Sequence, residues 1–119
     1  MQNGAKALIV FAHGSSIESA NEAVRVVARD LGVATGEAVE AAFLEGGTPG
    51  LPDAVNACVA RGASEIVVLP YFLTLGLHLQ RDLPRLANAI QVSHPGLSIR
   101  VAPPLDGHPA LIQILKDRV

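Results

Sequence analysis

Tryptophan is absent from this sequence, and three Phe and one Tyr are its only aromatic residues. A surface that stacks on nucleobases needs more rings than that. Positive charge is scarce as well. Nine Lys and Arg stand against eleven Asp and Glu, for a net charge of −2. Phosphate backbones demand a basic face, so nucleic acid is not an expected partner. Cys58 is the single cysteine. It can make no internal disulfide, and there is no Cys cluster for a zinc knuckle or an iron–sulfur centre. It lies beside Val55 and Val59 in a helical pattern and reads as a small core residue. The apolar runs are too short to span a bilayer, and no signal peptide precedes the first strand. A cytoplasmic protein with no membrane partner is expected.

Charge of either sign is thin. Charged residues make up 17% of the chain and hydrophobic residues 50%. That is a low charge fraction for a small isolated domain. Part of the apolar surface is therefore expected to lie against a partner chain or a large flat ligand. The length of 119 residues suits one domain, 1–119, with a single core.

The chain is organised around Leu8–Ser16, Leu-Ile-Val-Phe-Ala-His-Gly-Ser-Ser. Leu8 to Phe11 is a continuous apolar run that suits a central strand covered on both faces. Gly14 permits a sharp turn into a helix. Ala12 and Gly14 leave room around His13. In open α/β sheets the ligand crevice lies beyond the carboxyl ends of the strands, where His13 is expected. A helix cap is the plain alternative for this histidine. Two sharper readings fail on the flanking residues. A histidine phosphatase needs Arg before the His-Gly, and Ala12 is there. An α/β-hydrolase needs a Gly-x-Ser-x-Gly elbow, and the sequence has none.

In order, Met1–Ala5 reads as a frayed leader and Lys6–Ala12 as the first strand. Helix one spans about Glu18–Leu31, with Ala20, Ala23, Val24, Val27, Ala28 and Leu31 on one face. Ser16 or Ser19 could cap it, and Gly32 is expected to end it. Glu37–Leu44 alternates as a second strand and runs into Glu45-Gly46-Gly47-Thr48-Pro49-Gly50, a loop of turn formers. Helix two covers about Leu51–Arg61. Ser64–Tyr71 forms the third strand. The apolar loop Phe72–His78 follows, then helix three over Gln80–Val92 with Pro84 in its first turn. Leu97–Ala102 is the fourth strand. A last helix opens at Asp106-Gly107-His108-Pro109, with Leu111, Ile112 and Leu115 packing it. The order βαβαβαβα predicts an α/β fold: a parallel four-stranded sheet with helices on both faces, in three layers.

This order brings His13, Glu45 and His78 to three strand ends. Two imidazoles and a carboxylate suit a divalent first-row ion such as Co²⁺, Fe²⁺, Ni²⁺ or Zn²⁺. Three protein ligands leave positions open for water or substrate. Each residue also has a structural alternative: Glu45 as a cap or a solvated side chain, His78 as a cap of helix three.

The pieces Ala12-His13-Gly14-Ser15, Ala42-Phe43-Leu44-Glu45 with Pro49 following, Gly62-Ala63, Leu69-Pro70-Tyr71-Phe72-Leu73, Gly76-Leu77-His78 and Pro103-Pro104-Leu105-Asp106-Gly107-His108-Pro109 occur in this order along nearly the whole chain. Together they resemble the short form of the class II tetrapyrrole chelatases. These are the CbiX-type sirohydrochlorin chelatases of cobalamin and sirohaem assembly. The resemblance implies that His13 and His78 hold the metal, that Glu45 lies near them, and that all three take part in catalysis. It implies Co²⁺, Fe²⁺ or Ni²⁺ as a metal substrate, sirohydrochlorin as the tetrapyrrole, and no organic cofactor. The loop residues Phe72, Leu73, Thr74, Leu75, Gly76 and Leu77 would pack the ring, with Arg81 toward its carboxylates. His108 belongs to a shared motif but reads as structural, because it precedes Pro109 at a helix start. Long family members carry two such domains, so a short chain is expected to form a homodimer. The alternatives are a metal or tetrapyrrole carrier without turnover, a structural subunit whose loop serves a partner, and a related nickel chelatase.

Overall fold

A computed structural model describes residues 5–119. Of the proposed leader, Met1–Gly4 lies outside the described residues, and Ala5 already belongs to the first strand. That strand, β1, runs Ala5–Ala12 and is buried from Ala7 onward. Its neighbours are β2, Ala38–Phe43, and β3, Ala63–Pro70. The strand β4, Ser98–Val101, completes a parallel sheet of order β2-β1-β3-β4.

Alternation along the strands divides the core in two. Ala7, Ile9 and Phe11 of β1 join Ile66 and Val68 of β3 on one face. There they meet Leu51, Ala54, Val55 and Cys58 of α2 (Leu51–Ala60) and Leu83 and Ile90 of α3 (Leu77–Val92). Val10 and Ala12 point the other way with Ala41 and Phe43, under Ala28 and Val24 of α1 (Glu18–Thr35). Each fully buried Ile, Leu or Phe here contributes about 1.5–3 kcal/mol. The two covered faces are the three layers expected. Burial pushes the Cys58 thiol up from its ordinary range, as befits an inert core residue.

Several boundaries differ from the sequence reading. Helix α1 continues past Gly32 to Thr35, and Gly36 caps it in the left-handed conformation at φ 73°. Its N-cap is Ile17, with no side-chain cap from either serine. Its inward face is also rotated. Ala20 and Ala23 are exposed, and Asn21 is buried in line with Val24 and Ala28. Helix α3 begins at Leu77, so Pro84 lies inside the helix rather than in its first turn. The Gly76 carbonyl accepts from the Gln80 N–H at 2.9 Å, and the half-buried Leu79 packs on the core. That packing outweighs the local preference of proline for a helix start.

The final helix, α4 (Pro109–Arg118), departs most. Its start is as expected: Pro109 is the first helical residue, and His108 Nδ1 accepts from the Ala110 N–H at 3.0 Å. The structural reading of His108 therefore holds. Ile112 and Leu115 do not pack the helix onto the domain, however, and Leu111 is only half-buried. No residue of α4 is buried, and Ile112, Ile114 and Leu115 are exposed. The amphipathic pattern specifies a face but not what covers it.

Candidate metal and macrocycle site

The carboxyl ends of β1, β2 and β3 lie side by side, and each leads into a segment carrying one expected ligand. The β1 and β2 turns are joined by extra rungs beyond the strands. Leu44 N–H donates to the Ala12 carbonyl at 2.9 Å, and Glu45 N–H donates to the His13 carbonyl at 3.0 Å. These bonds fix the backbone beneath His13 and Glu45 while their side chains stay exposed. Gly14 is required by this contact. Its φ is +90°, and a Cβ there would lie 1.6 Å from the Glu45 carbonyl oxygen.

His13 Nδ1 lies 3.3 Å from the Gly14 carbonyl oxygen. A carbonyl only accepts, so Nδ1 donates in this contact, and in the neutral ring the lone pair is then on Nε2. Nε2 stands 3.7 Å from Glu45 Oε1, and the two side chains are 61% and 68% exposed. An imidazole whose other nitrogen is held by a backbone carbonyl is oriented as a metal ligand. The pair offers one imidazole and one carboxylate to solvent.

His78 lies in the first turn of α3, not in a loop. It is exposed, and the Arg81 guanidinium donates to its Nδ1 at 3.0 Å. Guanidinium cannot accept, so the neutral ring carries its proton on Nε2. Either nitrogen can take a metal only after Arg81 moves or the proton does. Among the described residues, no three His, Cys, Asp or Glu side chains stand together as a metal-holding group. The structure thus brings together His13 and Glu45, and leaves His78 on the neighbouring segment, engaged by Arg81.

The apolar segment before α3 divides by direction. Leu73, Thr74, Gly76 and Leu77 are exposed, with Leu77 at 82%. Phe72 turns largely inward. It is half-buried, packs on the core, and meets Phe11 edge-on with centroids 6.2 Å apart. Leu75 is also half-buried and lines a groove with Leu79, Leu83, Pro84 and Val101. Ile17, Leu44 and Tyr71, absent from the set read from the sequence, are also exposed at the same sheet edge. Position alone could have found them, since Leu44 and Tyr71 directly follow β2 and β3 and Ile17 lies five residues after β1.

One buried polar side chain was missed. Asn21 is 1% exposed and bonds to both the turn after His13 and the turn after Glu45. Arg25, one helical turn later, lies over the Phe43 ring at 5.4 Å and donates to the Thr48 carbonyl at 3.3 Å. It also pairs with Glu18, which holds that carboxyl below its usual range. A polar residue in phase with Val24, Ala28 and Leu31 was the available signal.

Comparison with known proteins adds four likenesses. The CbiX family profile matches residues 7–119. The chain is 32% identical over 116 residues to the chloroplastic sirohydrochlorin ferrochelatase of Arabidopsis thaliana, covering 97% of this chain and 52% of that one. It is 32% identical over 111 residues to the sirohydrochlorin cobaltochelatase of Sulfolobus acidocaldarius, covering 93% and 87%. The crystal structure of a CbiX protein from Marinobacter aquaeolei VT8 superposes with a TM-score of 0.83 at 31% identity, covering 95% of this chain and 92% of that chain. The chain spans about half the length of the chloroplast protein.

Proposed function

The chain belongs to the CbiX family, and from that premise we propose that it is a chelatase that inserts Co²⁺ or Fe²⁺ into sirohydrochlorin, in cobalamin or sirohaem biosynthesis. The observation that carries this reading is the exposed His13–Glu45 pair on a rigid sheet edge. Exposed Ile17, Leu44, Tyr71, Leu73 and Leu77 lie on the segments around it. An apolar rim around polar donors suits a flat macrocycle whose centre must meet a metal ion.

The chemistry asks for two things. The ion must be held weakly enough to pass on, and two pyrrole N–H protons must leave. His13 through Nε2, together with His78, holds the ion above the ring. The ion's open positions accept the pyrrole nitrogens as it transfers. Glu45, or an imidazole freed by the departing metal, accepts the protons. Exposure supports this role, because a solvated carboxylate passes protons on to water. Arg81 is placed to meet a ring carboxylate, and doing so would release His78. The ion is a substrate, and the mechanism calls for no organic cofactor.

We further propose that the chain acts as one domain, 1–119, in a homodimer in the cytoplasm. No helix among the described residues is long and apolar enough to cross a membrane. The dimer rests on α4. A helix of ten residues is marginal on its own in water, and this one buries none of its residues on the domain. A two-fold pairing would cover it.

The test is anaerobic insertion of Co²⁺, Fe²⁺ and Ni²⁺ into sirohydrochlorin, followed by absorbance, with protein well below stoichiometric and a no-protein control for each ion. Repeated turnover above background is expected with Co²⁺ or Fe²⁺. Uptake that stops at one equivalent would make the protein a carrier. A clear preference for Ni²⁺ would make it a nickel chelatase. Neither binding nor turnover would overturn the reading.

A further inference from the structure

We propose that Asn21 is the positioning residue of this site, a buried amide that locks the His13 turn to the Glu45 turn and so sets the spacing of the two exposed donors. The inference rests on the chelatase reading for its consequence, and on hydrogen-bond geometry for the clamp itself.

Asn21 is the one polar residue among the buried described residues. Its Oδ1 accepts from the Ser15 N–H at 2.9 Å, and its Nδ2 donates to the Ser15 carbonyl at 2.8 Å. The side chain thus pairs with both backbone groups of Ser15, as a neighbouring strand would. The second Nδ2 hydrogen reaches across to the Gly46 carbonyl at 3.1 Å, with Glu18 Oε1 farther off at 3.4 Å. Ser15 lies two residues after His13, and Gly46 follows Glu45 directly. One amide therefore ties both ligand-bearing turns to a single point on α1.

The surrounding glycines leave no slack. A Cβ on Gly46 would come within 2.9–3.0 Å of Ser15 backbone atoms, and one on Gly47 would meet Asn21 Nδ2 at 2.9 Å. The turns are in contact, and the amide is seated between them. A side chain that is 1% exposed cannot touch a tetrapyrrole. Its effect must pass through the turns. An amide is suited to this task where a carboxylate is not. Two carbonyls and one N–H face it, so the site requires one acceptor and two donors. Aspartate would set an oxygen against both carbonyls, and alanine would take the side-chain bond away from all three groups.

The experiment compares the full chain with Asn21→Asp, Asn21→Ala and Gly47→Ala. The last keeps the amide but crowds it, and guards against failure of the first two to fold. Hydrogen exchange in the metal-free proteins reads the clamp. The Ser15 and Glu45 amides are expected to exchange at least tenfold faster in the folded variants, with the β1 core amides unchanged. Titration with Co²⁺ alone reads the consequence. Affinity is expected to fall about tenfold in the Asn21 variants, as for other residues that orient a ligand, with an altered visible spectrum of the bound ion. The tetrapyrrole KM should stay near wild type while kcat falls. A residue that served stability alone would lower Tm and leave affinity and spectrum untouched. Folded variants with wild-type exchange at Ser15 and Glu45, or with wild-type Co²⁺ affinity and spectrum, would overturn the proposal. Failure of the wild-type protein to take up Co²⁺ would instead strike the chelatase reading, and exchange would still decide the clamp.

Discussion

His13 and His78 are the same residue type in opposite states of readiness. His13 donates Nδ1–H to a carbonyl and keeps a lone pair on Nε2, whereas His78 has its Nδ1 lone pair taken by Arg81. Two predictions follow from the difference. His78→Ala should abolish insertion while circular dichroism and Tm stay near wild type, because the side chain is exposed and, among the described residues, bonds to Arg81 alone. A well-folded His78→Ala protein with full turnover would contradict the assignment. Arg81→Leu should bind Co²⁺ more tightly, by a factor of about two to five. The metal would no longer compete with a hydrogen bond worth about 0.5–1 kcal/mol. Isothermal titration checks this, and the same variant should show a raised KM for the tetrapyrrole.

At the level of elements, the turns carry the site and the glycines set its tolerances. Gly14→Ala should destabilise the protein by about 3 kcal/mol or more, since strain at positive φ adds to a clash with backbone that cannot yield. Gly36→Ala offers the control. It has a similar φ but nothing within 4 Å, and should cost only about 1 kcal/mol. Urea unfolding of both variants separates crowding from backbone strain. Such differences explain how far the sequence could be read. The apolar runs Leu8–Phe11 and Ile66–Leu69 marked the central strands, and the topology followed from them. The placement of His13, Glu45 and His78 just beyond the strand ends followed in turn. Helix starts were less legible. Proline 84 signals a first turn locally, but Leu79 and Leu83 extend the helix backward by burying side chains against the sheet. The inward turn of Phe72 could not be read either. An apolar residue in a loop does not disclose whether it faces the ligand or the core, and here Phe11 supplies an aromatic edge to receive it. Asn21 was hidden because alanines at 20 and 23 fit an apolar stripe as well as the true one does.

For the molecule as a whole, α4 is the element that the domain does not account for. Its own ends are well made: His108 caps the start, Lys116 and Arg118 lie in the last turn, and Gln113 bonds Asp117 at 2.7 Å. Exchanging both Ile112 and Leu115 for Glu should convert a dimer of about twice 12.4 kDa into a monomer, with the sheet intact because no residue of α4 is buried on it. Light scattering after size exclusion gives the answer, and a wild-type chain already monomeric at micromolar concentration would refute the dimer. The open edge that holds His13, Glu45 and His78 has a wider consequence. These side chains stand outside the core, on turns whose backbone bonds are made without them. Replacing one alters chemistry at almost no cost in folding. Most enzymes trade stability for activity when their sites change. A lineage built on this sheet could instead drift from one metal preference to another through neutral intermediates, each still folded, with selection acting on the reaction alone.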